Sequence, residues 1–248
     1  MPDNYFENRI SCRNFKERKI SDQRILQILE KAMRAPTCGN MQLYSVIITK
    51  EKDNLVKLSQ LHYNQPAATT APVILTICAD FNRFTRWCKL KNADDAFNNL
   101  HSFLTAMTDA VILSQQIVTI AEMEGFGTCY LGTVIYNAKE ISDFLKLPEL
   151  VIPVASVSIG EKESKEEKVE RLKVEDIIHK ESYKHLTDSE ILEIFKIKED
   201  FEPNKKYIEE SGKENLAQVF SEIRYPRLMN EKLSETFLSL IKEKGFLK

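Results

Sequence analysis

Apolar residues recur at helical spacing near the start of the chain. They fall at every third or fourth position from Ile25 to Met33, and Ser21 stands before them as a suitable N-cap. Pro36 follows, and proline disfavours helical geometry in the residue before it. The pattern therefore predicts a helix that begins after Ser21 and ends before Pro36. The next segment, APTCGNMQ over 35–42, is predicted to be a loop.

Continuous apolar runs indicate buried strands when they are short and bounded by turn residues. Three such runs lie at 43–49, 73–79 and 151–160. A short amphipathic helix near 52–61 separates the first two runs. Strands that are few and separated by helices are typical of α+β or mixed α/β architecture.

The most apolar part of the chain lies in its middle. A long helix is predicted from near Asn98 to Glu124, and its second half, AMTDAVILSQQIVTIAEM, is apolar on most faces. Such a helix belongs in a core or in an interface. Gly125 suits the position that ends it. Another helix is predicted from Asn137 to just before Pro148.

The last part of the chain is predicted to be extended at first and then helical in pieces. RLKVEDIIHKESY is predicted to be extended, and the helical pieces from Thr187 onward are interrupted near Pro203, Gly212 and Pro226. The apolar residues of these pieces need a surface to cover them: Phe195, Leu216, Val219, Phe220, Phe237, Leu240 and Ile241. The sequence thus predicts one domain over 1–185 and a helical C-terminal extension over 186–248.

Composition and charge limit the partners and the location. The chain has 248 residues and a net charge of −2, so no global basic field attracts nucleic acid or an anionic membrane. No stretch approaches about 18 uncharged apolar residues, so no transmembrane helix is expected. The N-terminus lacks the apolar segment of a secretory signal. The five cysteines include no C-x-x-C, and a reducing cytoplasm is the expected location.

Several common cofactor and catalytic motifs are missing from the sequence. Only seven glycines occur, with neither G-x-G-x-x-G nor G-x-x-x-x-G-K-[ST], so a Rossmann site and a P-loop are not expected. The four histidines form no H-E-x-x-H pattern, and no metal is expected. There is no G-x-S-x-G elbow. A serine or cysteine nucleophile stays open, although no motif points to one.

Two basic clusters remain as candidates for chemistry. Arg9 and Arg13 flank Ser11, and two guanidiniums with a hydroxyl between them can bind a phosphate and a second polar group. Lys168 and Arg171 form the second cluster, inside a mixed-sign Lys/Glu run that is expected to be a solvated loop. Taken alone, the ordinary interpretation of each cluster is a solvated charged face.

Five ordered segments together resemble the FMN-binding nitroreductase family. NRISCRNF is similar to its opening R-x-S-x-R-x-F, and APTCGNMQ to its A-P-[ST]-x-x-N-x-Q. Gln65, seven residues before Pro72, resembles a glutamine of the oxygen-insensitive, NADPH-linked branch. GFGTCYLG and KVERLKVEDIIHKESY are similar to two later motifs, so the resemblance covers residues 5–185. Ile10 and Lys173 depart from the family pattern.

The resemblance implies an α+β, nitroreductase-like fold with a central, mainly antiparallel sheet flanked by helices. It also implies bound FMN, whose phosphate needs several charge-assisted donors. The implied FMN-binding residues are Arg9, Ser11, Lys168 and Arg171 at the phosphate, Arg13 and Gln65 at the pyrimidine ring, Leu131 and Gly132 beside N5 with Tyr130 before them, and Pro36, Thr37 and Asn40 from the partner subunit.

The implied activity is that of a homodimeric oxidoreductase. Hydride passes from NADPH or NADH to FMN N5, the oxidised nicotinamide leaves, and a nitroaromatic, a quinone or a free flavin is then reduced in the same cleft. The flavin does the chemistry, so no catalytic side chain is expected. Two alternatives stay open: an FMN-binding carrier or redox sensor with little turnover, and a flavin enzyme that fragments or dehalogenates its ligand. Gln65 also fits an ordinary loop residue, and Asn40 an ordinary turn.

Five residues in or near the motifs have a simpler structural explanation. Cys12, Cys38 and Cys129 are expected to be small buried thiols, which are common in protein cores. Phe84 and Trp87 are expected to lie in the core, and a place in a lid over the flavin stays open as the alternative.

Overall fold

The structure, a computed structural model, describes residues 5–164 and 166–247. Lys165, in the predicted charged loop, lies outside the described residues. The chain forms two compact units, of which the first comprises Met1–Glu166 with Glu235–Lys248 and the second comprises Glu167–Ser234. These limits differ from the boundary that the sequence predicts between residues 185 and 186. That domain boundary stays a prediction.

A four-stranded antiparallel sheet forms the centre of the first unit within the described residues. Its strands are β1 (Tyr44–Thr49), β2 (Val73–Asp80), β3 (Gly127–Tyr130) and β4 (Val151–Gly160), in the order β1-β2-β4-β3. The two middle strands are buried along their whole length, which explains their continuous apolar sequences. The predicted central antiparallel sheet and its three predicted strands are confirmed. The short strand β3 was not predicted.

Helices precede, separate and follow these strands along the chain. Those that lie wholly in the first unit are α1 (Tyr5–Asn8), α2 (Asp22–Ala32), α3 (Lys52–Leu61), α4 (Pro66–Thr69), α5 (Asn82–Leu90), α6 (Leu100–Met123) and α7 (Ala138–Phe144). The predicted N-cap of α2 is confirmed, because the Ser21 hydroxyl accepts a hydrogen bond from the Arg24 backbone N–H at 3.3 Å. Gly125 follows α6 with a φ of +90°, as expected for the residue that ends a helix.

The long helix α6 is buried on one side and exposed on the other. Ala106, Ala110 and Leu113 lie in the core, and α6 packs on the sheet. Val111 and Ile112 are exposed. Among the described residues, α6 also has the length and composition of a membrane span, which the sequence analysis did not expect, and 44% of its most apolar window is buried inside the protein. A core helix of a soluble protein has the same composition.

The end of the chain returns to the core of the first unit. Phe246 is completely buried, and its ring centroid lies 5.4 Å from that of Phe103. Lys244 fastens this tail through two bonds. Its ammonium donates to the Leu147 carbonyl oxygen, and its own carbonyl oxygen accepts from the Leu150 N–H at 2.8 Å. The final residues therefore complete the core that the central sheet begins.

The second unit is helical. Its elements are α8 (Val174–Ile177), α9 (Asp188–Glu199), α10 (Glu202–Glu210), α11 (Leu216–Gln218) and a π-helix (Val219–Arg224), and α12 (Arg227–Glu243) begins in this unit and ends in the first. The prediction that RLKVEDIIHKESY is extended is wrong at α8. There the Asp176 carboxylate accepts from the Lys173 N–H at 3.2 Å and stabilises a helical turn. The predicted break at Gly212 is confirmed by its φ of +61°.

Candidate functional site

The basic segment from Arg9 to Arg13 lies along the first residues of β3. The Cys12 N–H donates to the Thr128 carbonyl oxygen at 2.8 Å, which fixes the segment to the strand. A Cβ atom on Gly127 would stand 2.7 Å from both Cβ and Sγ of Cys12. Real Cβ atoms do not come so close, so only glycine permits this approach. The structure thus joins two of the segments that carried the family resemblance.

Arg9 is held by a buried carboxylate that the sequence analysis did not identify. Its Nε lies 3.3 Å from Oε2 of Glu122, near the end of α6. The Tyr5 hydroxyl donates to the same oxygen at 2.7 Å, and the Thr128 hydroxyl donates to Oε1. Burial, and then this carboxylate, raise the pKa of Tyr5 to about 12. One available signal was an acidic residue inside an otherwise apolar helix, because such residues are rarely buried without a partner.

Ser11 and Arg13 occupy the same segment with different environments. The Ser11 hydroxyl accepts from Nη1 of Arg9 at 3.5 Å, a long contact. The Arg13 backbone N–H donates to Glu166 at 2.9 Å, and its guanidinium lies 3.9 Å from the same carboxylate. The Arg13 side chain is 55% exposed, so it can swing to a ligand without leaving a buried partner.

Tyr130, Leu131 and Gly132 end β3 and begin a short 3-10 helix, Gly132–Val134. The Leu131 N–H is already used, because it donates to the Ser156 carbonyl oxygen at 2.9 Å. Of the backbone N–H groups of Leu131 and Gly132, this leaves that of Gly132, which stands in the first turn of a helix and has no intrahelical partner. A Cβ on Gly132 would meet nothing within 4 Å, so this glycine faces open space that a ligand could fill.

Gln65 lies beside the 3-10 helix and belongs to a small polar network. Its Nε2 donates to the Thr133 hydroxyl at 3.1 Å and to the His62 carbonyl oxygen at 3.2 Å. The Thr133 hydroxyl also bonds Nδ1 of His62 at 2.8 Å. His62 is fully buried, and burial lowers its pKa to about 4. The structure therefore brings Gln65 next to Gly132 through Thr133.

The loop that contains Pro36, Thr37 and Asn40 is anchored to the other half of α6. The buried Asp109 carboxylate accepts from the Cys38 N–H at 2.8 Å and from the Leu43 N–H at 3.3 Å. Sequence reasoning missed Asp109, although it too is an acidic residue within the apolar helix. Pro36 and Asn40 are exposed, so the loop presents them outward.

Within the first unit, the structure does not bring all the predicted residues together. Asp109 and Glu122 stand thirteen residues apart on α6. At a rise of 1.5 Å per residue their Cα atoms are roughly 20 Å apart. The loop held by Asp109 and the Arg9 segment held by Glu122 therefore lie at well-separated positions along the helix. Lys168 and Arg171 lie in the second unit, where both are exposed.

Some of the cysteines and aromatic residues that were expected to be buried are buried, and others are exposed. Cys12 and Cys129 are buried, and burial raises the pKa of both thiols, whereas Cys38 is exposed, contrary to expectation, because it lies in the outward loop.

Trp87 is 55% exposed, so its predicted place in the core is wrong. Its ring packs edge-on against Phe84, which is partly buried against the core, and both line a cavity of about 170 Å³. Among the described residues no cluster of three metal-ligating side chains occurs.

The chain is similar to known proteins over most of its length. A model of the nitroreductase family matches residues 6–63 and 49–161. The chain is 33% identical over 179 residues, 70% of either protein, to an FMN reductase (NAD(P)H) of Bacillus subtilis (strain 168). It is 31% identical to a CR(VI) reductase of Pseudomonas sp. (strain G-1), over 71% of this chain and 72% of that protein. A solved structure from Bacteroides fragilis NCTC 9343 is 42% identical, with a TM-score of 0.96 over 98% of this chain and 99% of that one. The chain belongs to the nitroreductase family.

Proposed function

We propose that this protein is an FMN-dependent NAD(P)H oxidoreductase. The observation that carries the proposal is that the Arg9 segment and the Gly132 turn lie along the same short strand, β3. Cys12 bonds Thr128, and Leu131 follows three residues later. At about 3.3 Å per residue, Thr128, to which the Arg9 segment is bonded, and Leu131, which precedes the Gly132 turn, are roughly 10 Å apart. One small ligand with a phosphate at one end and a polar ring at the other can therefore reach both.

The donors on each side suit the two ends of FMN. Arg9 and Ser11 offer charge-assisted and hydroxyl donors for a phosphate, and we assign Lys168 and Arg171 to the same group. The exposed Arg13 supplies a cation for the negative charge that gathers at N1 and the C2 carbonyl on reduction. We place the pyrimidine beside Gln65.

The turn at the end of β3 faces the redox centre in this proposal. Tyr130 and Leu131 lead into Gly132, whose open Cβ position gives room for the ring. Bound FMN would supply the redox chemistry, taking a hydride at N5 from NADPH or NADH and passing the electrons to an acceptor. The protein's part is to hold, orient and polarise the ring, so we assign no acid–base side chain.

We further propose that the active protein is a homodimer with shared sites. Pro36, Thr37 and Asn40 are separated from the Arg9 segment by a distance that one FMN is not expected to bridge. A second copy could supply this loop. The exposed apolar side of α6, with Val111 and Ile112, offers a surface for that copy.

The natural acceptor is proposed only by class. Small aromatic oxidants such as nitroaromatics, quinones and free flavins would suit the open space beside Gly132. The location is proposed to be the cytoplasm, because all five cysteines are free, as is usual in a reducing compartment.

The identity of the cofactor tests the proposal first. The purified protein is expected to be yellow or to become yellow on incubation with FMN. Acid extraction followed by chromatography should recover FMN and not FAD, because no G-x-G-x-x-G is present for a pyrophosphate. Recovery of FAD, or no flavin after incubation with FMN, would overturn the proposal.

A further inference from the structure

The Gln65 side chain is oriented by a group that can only accept hydrogen bonds, the His62 carbonyl oxygen. Its Nε2 lies 3.2 Å from the His62 carbonyl oxygen and 3.1 Å from the Thr133 hydroxyl. A carbonyl oxygen only accepts, so the amide nitrogen must face inward. Both N–H bonds of the amide are then used. The Gln65 carbonyl oxygen, Oε1, has no hydrogen-bond donor among the described residues.

Building on the proposed function, we infer that Thr133 and His62 are positioning residues that fix Gln65 as an acceptor for the N3–H group of the flavin. The pyrimidine edge of an isoalloxazine presents a carbonyl, an N–H and a second carbonyl. N3–H is the donor on that edge. A glutamine that can only accept matches it, whereas a glutamine free to rotate could also donate to either flanking carbonyl.

Thr133 is fixed in turn by His62. The Thr133 hydroxyl accepts from Gln65, so its own proton is available for Nδ1 of His62, 2.8 Å away. Either neutral tautomer of His62 keeps this contact, because Nδ1 can accept the hydroxyl proton or Nδ1–H can donate to the second lone pair of the hydroxyl oxygen. The histidine is fully buried, and its Nε2 has no hydrogen-bond partner in the structure. Burial lowers the pKa of His62 to about 4, so the neutral form predominates at physiological pH.

The backbone between these residues is constrained for the same placement. Tyr63 and Asn64 have φ values of +57° and +50°, a backbone conformation that residues other than glycine adopt infrequently. The Asn64 N–H donates to the Ser59 carbonyl oxygen at 2.8 Å, and the Tyr63 hydroxyl donates to Asn137 at 3.3 Å. Non-glycine residues in this region cluster at ligand sites, where surrounding contacts hold them. Here the two residues carry the chain from buried His62 to Gln65.

The test compares FMN with N3-methyl-FMN, which has no N3 proton. Dissociation constants of both are measured by flavin fluorescence for the unaltered protein and for Gln65→Ala, Thr133→Val and Thr133→Ser. We expect the unaltered protein to prefer FMN by roughly ten-fold or more, the scale of one hydrogen bond. Gln65→Ala should lose most of that preference. Thr133→Val, which keeps the shape but lacks the hydroxyl, should lose part of it, and Thr133→Ser should keep it.

Three outcomes would overturn the inference, and they are distinguishable. If Gln65→Ala keeps the full preference for FMN, Gln65 does not accept from N3–H. If Thr133→Val keeps it while Gln65→Ala loses it, Thr133 does not position the amide. If the unaltered protein binds neither flavin, the proposed function itself fails, and the inference fails with it.

Discussion

Two glycines, one at the start of β3 and one just after its end, have opposite surroundings. The same substitution is therefore expected to affect folding at the first and ligand binding at the second. Gly127 is enclosed by Cys12, whereas Gly132 faces open space. We predict that Gly127→Ala lowers the free energy of unfolding by about 1–3 kcal/mol, the usual cost of overpacking. Gly132→Ala should leave that free energy unchanged but weaken FMN binding. Urea titration and flavin binding measure the two effects.

The glycine pair contains its own control, since the same methyl group is added at both positions. Equal losses of stability in the two variants would contradict the structure around β3. Unchanged FMN affinity in Gly132→Ala would contradict the placement of the flavin ring, and would leave the fold unaffected.

His62 couples folding stability to pH because it is buried without a charge partner. Its pKa falls from 6.5 to about 4 on folding. Between these values the unfolded chain binds a proton that the folded protein does not, so acid favours unfolding. We predict that the free energy of unfolding falls by up to about 3 kcal/mol from this residue as pH drops from 6.5 to 4. The contribution is fully present above pH 6.5.

Two asparagine substitutions isolate this effect. His62→Asn keeps a neutral polar side chain but removes the titration, so its stability should depend less steeply on pH in this range. The matched control is His101→Asn, at an exposed histidine. The pH dependence of denaturant midpoints is the measurement, and identical slopes in the unaltered protein and His62→Asn would contradict the prediction.

The helices and strands that could be predicted from the sequence are those with a long and regular apolar pattern. Strands β1, β2 and β4 are long apolar runs, and α2 has a regular apolar stripe with a cap. Strand β3 is only four residues, GTCY, and is stabilised by pairing with β4. Such short segments have no periodicity to detect, so tertiary pairing decides them.

The candidate site shows the same limit. Arg9 and Gln65 could be identified by motif resemblance. Asp109, Glu122 and Thr133 could not, because each acquires its role from a segment that is distant in sequence. Helix α5 was also missed, and its first turn depends on Asp80, which accepts from the Arg83 N–H at 3.2 Å.

The C-terminal tail is predicted to be essential to the first unit. Phe246 is fully buried against Phe103, so Phe246→Ala should lower the free energy of unfolding by about 3–5 kcal/mol. Phe195→Ala is the control, because that ring is 48% exposed and its loss should cost much less. Chemical denaturation of both variants decides it. Similar losses would mean that the tail does not complete the core.

At the scale of the whole molecule, the proposed homodimer depends on the exposed side of α6. Val111 is 43% exposed on a helix whose other side is core. If a second copy covers it, Val111→Glu would bury a charge without a partner and should yield monomers that remain folded. These monomers should lose FMN, because the second copy no longer supplies its loop. Sedimentation velocity and circular dichroism measure assembly and folding separately.

A substitution on the solvated surface controls for charge alone. Val56→Glu adds the same group to α3, where the side chain is 50% exposed, and should leave assembly unchanged. A Val111→Glu protein that still sediments as a dimer would contradict this use of α6. A monomer that keeps FMN would contradict the shared site.

Rapid mixing tests whether electrons pass from NADPH or NADH through bound FMN to an acceptor. The FMN-loaded protein is mixed without oxygen with NADPH, and in parallel with NADH, while the flavin absorbance is recorded. We expect at least one nucleotide to bleach the flavin on the timescale of one catalytic turnover, and a quinone or nitroaromatic added afterwards to restore the oxidised spectrum. A flavin that stays oxidised with both nucleotides would contradict this expectation, and would indicate an FMN carrier or sensor instead.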